Sequence, residues 1–141
     1  MAIVRRSQTI DAPVAAVFRA IADCGNYDQW NPTIRSSRKL SEGEPGPGAR
    51  FEWELRGFGA VVQELEEFEA NRRLRIVPVV DTLAGGHRFV LTPEGRRTRV
   101  DHELELIPRG RLRALAPIMG LVGRKNLRDT ASALQRHLEA R

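Results

Sequence analysis

Thr98-Arg99-Val100-Asp101-His102-Glu103-Leu104-Glu105-Leu106-Ile107 alternates uncharged with charged side chains, so Val100, His102, Leu104 and Leu106 share one face of a strand. From Gly110 onward the period changes to that of a helix. Leu127, Ala131, Leu134 and Leu138 fall on one helical face, and Ala116, Gly120 and Gly123 extend that stripe backward. A half-buried strand followed by a long amphipathic terminal helix decides the fold. One face of an antiparallel sheet needs a cover, and this helix is the only element long enough to supply it.

Working outward, the segments before Thr98 repeat the period of two. Gly85-Gly86 opens a strand with His87, Phe89 and Leu91 on one face, and Pro93 to Arg97 turns it into the next. Ala60 to Glu69 and Leu74 to Val80 are strands split by the Asn71-Arg72-Arg73 turn. Phe51, Trp53 and Leu55 alternate with Glu52, Glu54 and Arg56, and Gly57 and Gly59 flank the hairpin turn that follows. Thr33 to Leu40 is a strand ended by the glycine- and proline-rich Ser41 to Gly48. Nearer the start, Ile3 to Ile10 is a strand with Val4, Arg6, Gln8 and Ile10 on one face. Asp11-Ala12-Pro13 closes it and opens a helix striped by Val14, Val17, Phe18 and Ile21. Asp23 to Asn31 makes a second short helix, stopped by Pro32. The order is strand, two short helices, about six strands, then a long helix, which is a single α+β domain over residues 1–141 without repeat or linker.

Composition narrows the function classes. The 141 residues are 41% hydrophobic and 29% charged, enough for one core without a disulfide or metal staple. Cys24 is the only cysteine, which excludes an internal disulfide or a cysteine zinc cluster. Met1 to Arg6 places arginines where a signal peptide needs its apolar stretch, and Leu112 to Gly123 falls short of a membrane span. The compartment expected is the cytoplasm. The net charge is +5, and only Lys39 and Lys125 among the basic residues are lysine, a pattern of GC-rich, bacterial coding. The arginines alternate with glutamates and aromatics make up only 6%, so the footprint of a nucleic-acid binder is missing. His87, His102 and His137 have no metal-ligand spacing, no glycine-rich loop opens a helix, and no nucleophile elbow surrounds a serine. No metal or cofactor is expected.

Ile10-Asp11-Ala12-Pro13, Val17-Phe18, Ile21-Ala22-Asp23, Tyr27 and Trp30-Asn31-Pro32 resemble the N-terminal signature of the polyketide cyclase/dehydrase-like branch of the StAR-related lipid-transfer (SRPBCC) superfamily. Glu67-Phe68 to Arg73-Leu74, and Phe89-Val90-Leu91 followed by Thr98-Arg99-Val100, agree with it. The resemblance implies the helix-grip fold of the birch-pollen allergen. In that fold a curved antiparallel sheet of six to seven strands wraps a C-terminal helix and leaves a cavity between them. It also implies binding, with or without transport, of a small hydrophobic ligand: a lipid, polyketide, quinone or aromatic metabolite. Two alternatives stay open, a cyclase/dehydrase acting on an aromatic polyketide precursor and a co-chaperone-like interaction module.

Strand alternation then supplies a candidate lining. Ile10 before Ala12-Pro13 carries Arg6 and Gln8 inward with it; Phe51 carries Trp53; Phe89 carries His87; Val100 and Leu104 carry His102. With Met119 on the terminal helix, the expected ligand-binding set is Arg6, Gln8, Trp53, His87, Phe89, His102 and Met119. The set is mostly apolar with a few polar groups, as small-molecule sites are. His102 is the candidate general acid/base, because histidine titrates near neutral pH, and Arg6 its anion-pairing partner. Each also has a plain structural reading: Arg6 at a sheet edge in solvent, Gln8 bonded to a neighbouring strand, each histidine a satisfied core residue. Tyr27 and Trp30 are expected to pack the short helices against the sheet, and Cys24 to be a small buried side chain. Arg109, Arg111 and Arg113 precede Leu115, Ile118, Met119, Leu121 and Val122, with Arg124 and Lys125 after them. The sheet is expected to bury this apolar half of the helix; the alternative is transient contact with an anionic membrane. Pro117 marks a start or kink of the helix. The protein is expected to be a monomer or a homodimer.

Overall fold

The computed structural model describes residues 1–140. Strand β1 (Ala2–Ile10) leads into helix α1 (Val14–Ala22) and a 3-10 segment (Cys24–Gln29). Six strands follow: β2 (Ile34–Lys39), β3 (Arg50–Leu55), β4 (Gly59–Glu69), β5 (Arg73–Pro78), β6 (Leu83–Glu94) and β7 (Arg97–Pro108). A second 3-10 segment (Gly110–Ile118) precedes the terminal helix α2 (Met119–Glu139). The seven strands form one antiparallel sheet in the order β1-β7-β6-β5-β4-β3-β2, so the first strand returns to pair with the last and every other neighbour is a hairpin. This is the helix-grip arrangement. No helix among the described residues is long and apolar enough to cross a membrane.

The alternation read from the sequence places the core. Ile10, Phe51, Trp53, Leu65, Leu74, Ile76, Phe89, Leu91 and Val100 are buried on the concave face. Against them pack Val17, Phe18 and Ile21 from α1 and Leu134 and Leu138 from α2. Tyr27 is buried and stacks on Trp53 with ring centroids 4.8 Å apart. Its hydroxyl donates to the Ile21 carbonyl at 2.5 Å, which ties the first 3-10 segment to α1. Cys24 is buried beside it, and burial pushes its thiol well above the usual range, so it packs as a small apolar residue.

Two register shifts depart from strict alternation. One lies between Ile34 and Ser36 in β2, the other between Leu65 and Glu67 in β4. Past the second, Phe68 turns inward and meets Phe18 edge-on at 5.2 Å, although alternation from Leu65 would send it out. No such shift interrupts the pairing of β6 with β7, so the inward facing of His87, Phe89 and His102 stands. Gly85 and Gly86 sit within β6 rather than opening it, with φ of +102° and +127°. A Cβ on Gly86 would collide with the Ile76 carbonyl oxygen, and one on Gly85 with that of Glu105. Here β6 bends: its ladder to β5 stops at the Ile76–His87 pair while its ladder to β7 continues to Leu83.

The terminal helix differs from the continuous stripe expected from Gly110. The stretch with Pro117 is 3-10, and α2 begins only at Met119, because proline cannot donate within a helix interior. Gly123, Leu127, Ala131, Leu134 and Leu138 are buried as expected, but Ala116 is exposed. The expectation that the sheet would bury Leu115 to Val122 is overturned: Leu115 and Ile118 are exposed, as are Leu121 at 64% and Val122 at 46%. The curved sheet closes on the C-terminal half of α2, whereas near the helix start only Gly123 sits against it, beside Val4 and Leu106, and the neighbouring face stands away.

Candidate functional site

That separation leaves a cavity of about 420 Å³ between the sheet and the start of α2. Its buried part is built by Trp53, Gln63, Leu104 and the half-buried His87; its exposed rim includes Arg56, Phe58, Leu115, Val122 and Lys125. Pro78 and Leu83 line it where the sheet parts beyond the last β5–β6 pair. Met119 hangs over it from the first turn of α2.

Trp53 is held rather than mobile. Its indole Nε1 donates to the Cys24 carbonyl at 2.9 Å, and its ring is stacked on Tyr27 and tilted 55° against Phe51. Its polar atom is satisfied, so what it offers the cavity is a flat apolar wall. His87 approaches that wall edge-on, with ring centroids 6.1 Å apart. His87 Nδ1 lies 2.9 Å from Nε2 of His102, which is buried behind it. Phe89 stacks on His102 at 4.0 Å and covers it. Burial holds His87 down to about 4 and His102 well below the ordinary imidazole range, the latter also because a charge on His87 would repel its own. Both rings are therefore neutral at pH 7.

Of the seven residues singled out from the sequence, Trp53, His87 and Met119 line the cavity. His102 and Phe89 face the right way but lie in the layer behind the cavity wall, so His102 touches the cavity only through His87. Gln8 is half-buried opposite Val100 and does not reach the cavity. Arg6 is exposed: β1 is an edge strand, and Arg6 emerges along the flank of α2 in a shallow depression shared with Leu121, Arg124 and Arg128. Arg6 stands directly opposite His102 in the β1–β7 ladder, yet it is absent from the cavity lining, as the sheet-edge reading expects. The sequence reading missed Gln63. The signal was present, since Gln63 stands between Val61 and Leu65 in an alternating strand, and all three are buried. Phe58 was missed because it sits in the turn after β3, where no period applies. Among the described residues no group of three or more histidine, cysteine or acidic side chains is placed to hold a metal ion.

The rim carries charge. Arg56 Nε donates to the Pro32 carbonyl at 2.9 Å, and Lys125 Nζ donates to Asp129 at 2.7 Å, which lowers the Asp129 carboxyl below its ordinary range. Both cations are exposed; the buried and half-buried polar members of the lining are the neutral Thr33, Gln63, His87 and Asn126 and the carboxylates Glu105 and Asp129.

Residues 1–139 match the family model described as polyketide cyclase/dehydrase and lipid transport. Among solved structures, a START superfamily protein from Mycobacterium smegmatis is similar at 18% identity, covering 99% of each chain with a TM-score of 0.82. The Zhui aromatase/cyclase from Streptomyces sp. R1128 is similar at 15% identity over 99% of this chain and 94% of its own, with a TM-score of 0.83. A protein from Thermus thermophilus reaches 21% identity over 98% of this chain and 97% of its own, with a TM-score of 0.80. At such identities these likenesses show the fold. No curated protein matches the chain.

Proposed function

The chain belongs to the polyketide cyclase/dehydrase and lipid transport family, a branch of the SRPBCC superfamily, and on that premise we propose that it binds a small hydrophobic ligand between the sheet and α2. The observation that carries this reading is the cavity itself. It holds about 420 Å³, has a fixed indole wall, and sets a few polar groups, Gln63 and His87 among them, in a mostly apolar lining. Concave, mostly apolar pockets of ~300–1,000 Å³ with a few placed polar groups are the form that small-molecule sites take. A lipid, polyketide, quinone or aromatic metabolite suits that lining. The interaction-module reading required a filled core, and the cavity counts against it.

Transport joins binding through the rim. Leu115 and Val122 line the cavity and are also part of the exposed apolar patch with Ile118 and Leu121. Basic residues flank that patch: Arg111 and Arg113 before it, Arg124 and Lys125 after. Apolar residues ringed by cations are what a segment needs to rest on an anionic bilayer surface, and here the same residues gate access to the cavity. The cyclase/dehydrase reading draws on one specific observation, the histidine pair in the cavity wall. With His102 set behind His87, the group that would meet a substrate carbonyl is His87, and His102 becomes a positioning residue.

Native mass spectrometry of the purified protein, followed by solvent extraction, tests the binding reading. A stoichiometric hydrophobic adduct is expected. A bare protein that also fails to take up a naphthalene-type fluorescent probe would overturn it. Flotation with phosphatidylglycerol-containing vesicles tests the rim: binding is expected to weaken in Leu121→Ser and with added salt, and indifference to both would remove the membrane step.

A further inference from the structure

The histidine pair does more than add polarity to the wall. His87 and His102 are both uncharged at neutral pH, and a 2.9 Å separation between Nδ1 of one and Nε2 of the other means that a single proton lies between them. That contact uses one ring nitrogen of His87 and leaves Nε2 as its only nitrogen free for the cavity it lines. Two arrangements satisfy the pair. When His102 donates, His87 Nε2 carries a proton and offers it to a carbonyl. When His87 donates, its Nε2 is bare and accepts from a hydroxyl. Gln63, the one fully buried polar residue of the lining, offers the same choice through its amide. An ionised group among these dipoles would lose its hydration without gaining a counter-charge, a far greater cost than burying a neutral one. The cations of the lining, Arg56 and Lys125, are both exposed at the rim, and its other charged members, Glu105 and Asp129, are half-buried carboxylates that would repel an anion.

We propose that the cavity selects ligands whose inner end carries an uncharged oxygen function, a ketone, enol or phenol, hydrogen-bonded to Nε2 of His87. Any anionic group of the ligand stays at the Arg56–Lys125 rim. His102 acts as a positioning residue that fixes the ring of His87, and Phe89 stacked upon it holds that partner in place. This inference rests on the ligand-binding reading and adds the chemistry and direction of the bound molecule.

Three probes of one size separate the two claims: naphthalene, 2-naphthol and 2-naphthoate, titrated against the whole protein at pH 7. The expected order is 2-naphthol about tenfold tighter than naphthalene, with 2-naphthoate the weakest. His87→Leu is expected to abolish the preference for 2-naphthol over naphthalene, and His87→Gln to restore part of it. His102→Phe, which keeps the bulk behind His87 and removes its partner, is expected to shrink the preference without ending naphthalene binding. If 2-naphthoate binds tightest, or all three bind alike, the inference is overturned while the ligand site stands. If none binds, the site itself fails and the inference with it. The wild-type series decides this even if a variant does not fold.

Discussion

The two halves of α2 meet the same sheet and are used in opposite ways. In the C-terminal half, Leu134 and Leu138 are seated in the core with Ile10, Phe18 and Leu91. Glu139 accepts a hydrogen bond from the Asp11 backbone amide at 2.8 Å, which pins the helix end to the corner between β1 and α1. In the N-terminal half, Leu121 and Val122 stand in solvent and Met119 spans a cavity. The helix follows a 3-10 stretch that contains no buried residue. One half of the molecule is closed by packing, and the other is held open by a bend in β6 and a proline-delayed helix start. Stability and binding are thereby assigned to different ends of one helix.

The sharpest way to break the comparison is to damage the closed half. Leu134 is 1% exposed, so Leu134→Ala is expected to cost about 2–5 kcal/mol in urea unfolding. A value below ~1 kcal/mol would mean that this end is not the anchor. The open half has a rigid wall of its own at Gly86. Gly86→Ala puts a Cβ against the Ile76 carbonyl oxygen at a φ reserved for glycine, and about 1–3 kcal/mol of stability is expected to go, together with probe binding. A thermal melt beside a probe titration reads both.

Acid should act on the open half as well. The unfolded chain protonates its histidines near their ordinary value of 6.5, whereas folded His87 resists until about 4 and burial also holds His102 well below 6.5. The unfolded state therefore binds more protons over that window. The stabilisation is whole above pH 6.5 and is lost as pH falls through 6.5 toward 4. Because His87 is only half-buried, the loss expected is roughly 1–3 kcal/mol. Melting curves from pH 7 to 4.5 check it, and His87→Leu should flatten the slope. The smallest effect belongs to the exposed patch: Leu121→Ser is expected to change stability by less than ~0.5 kcal/mol. A larger loss would show Leu121 packed against something in solution.

Much of this division was legible in the sequence, and particular residues show where legibility ends. Period two in Phe51-Trp53 and His87-Phe89-Leu91 assigned those side chains to the concave face, because a strand's alternation is a local property. The same logic placed His102 inward but had no means of seeing that His87 stands between it and the cavity, since depth depends on how β6 and β7 align. Arg6 failed for a related reason. Its facing followed from Ile10, while its exposure follows from β1 being an edge strand, a matter of strand order. The burial expected for Leu115 to Val122 failed because apolar content states what a segment prefers and says nothing of whether a curved sheet reaches it. The bulge at Glu66, which turns Phe68 inward, carried no signal in composition at all.

The central claim is that the open half of α2 shelters a ligand cavity. Ala84 lines that cavity from β6, whereas Leu121 lies on the exposed face of α2 outside it. Titrating a naphthalene-type fluorescent probe into Ala84→Trp and Leu121→Trp compares one added indole inside with one outside. Ala84→Trp is expected to weaken the probe by about tenfold or more, while Leu121→Trp stays within about twofold of the parent protein. Equal affinity in both variants, with the Ala84→Trp protein folded, would contradict it.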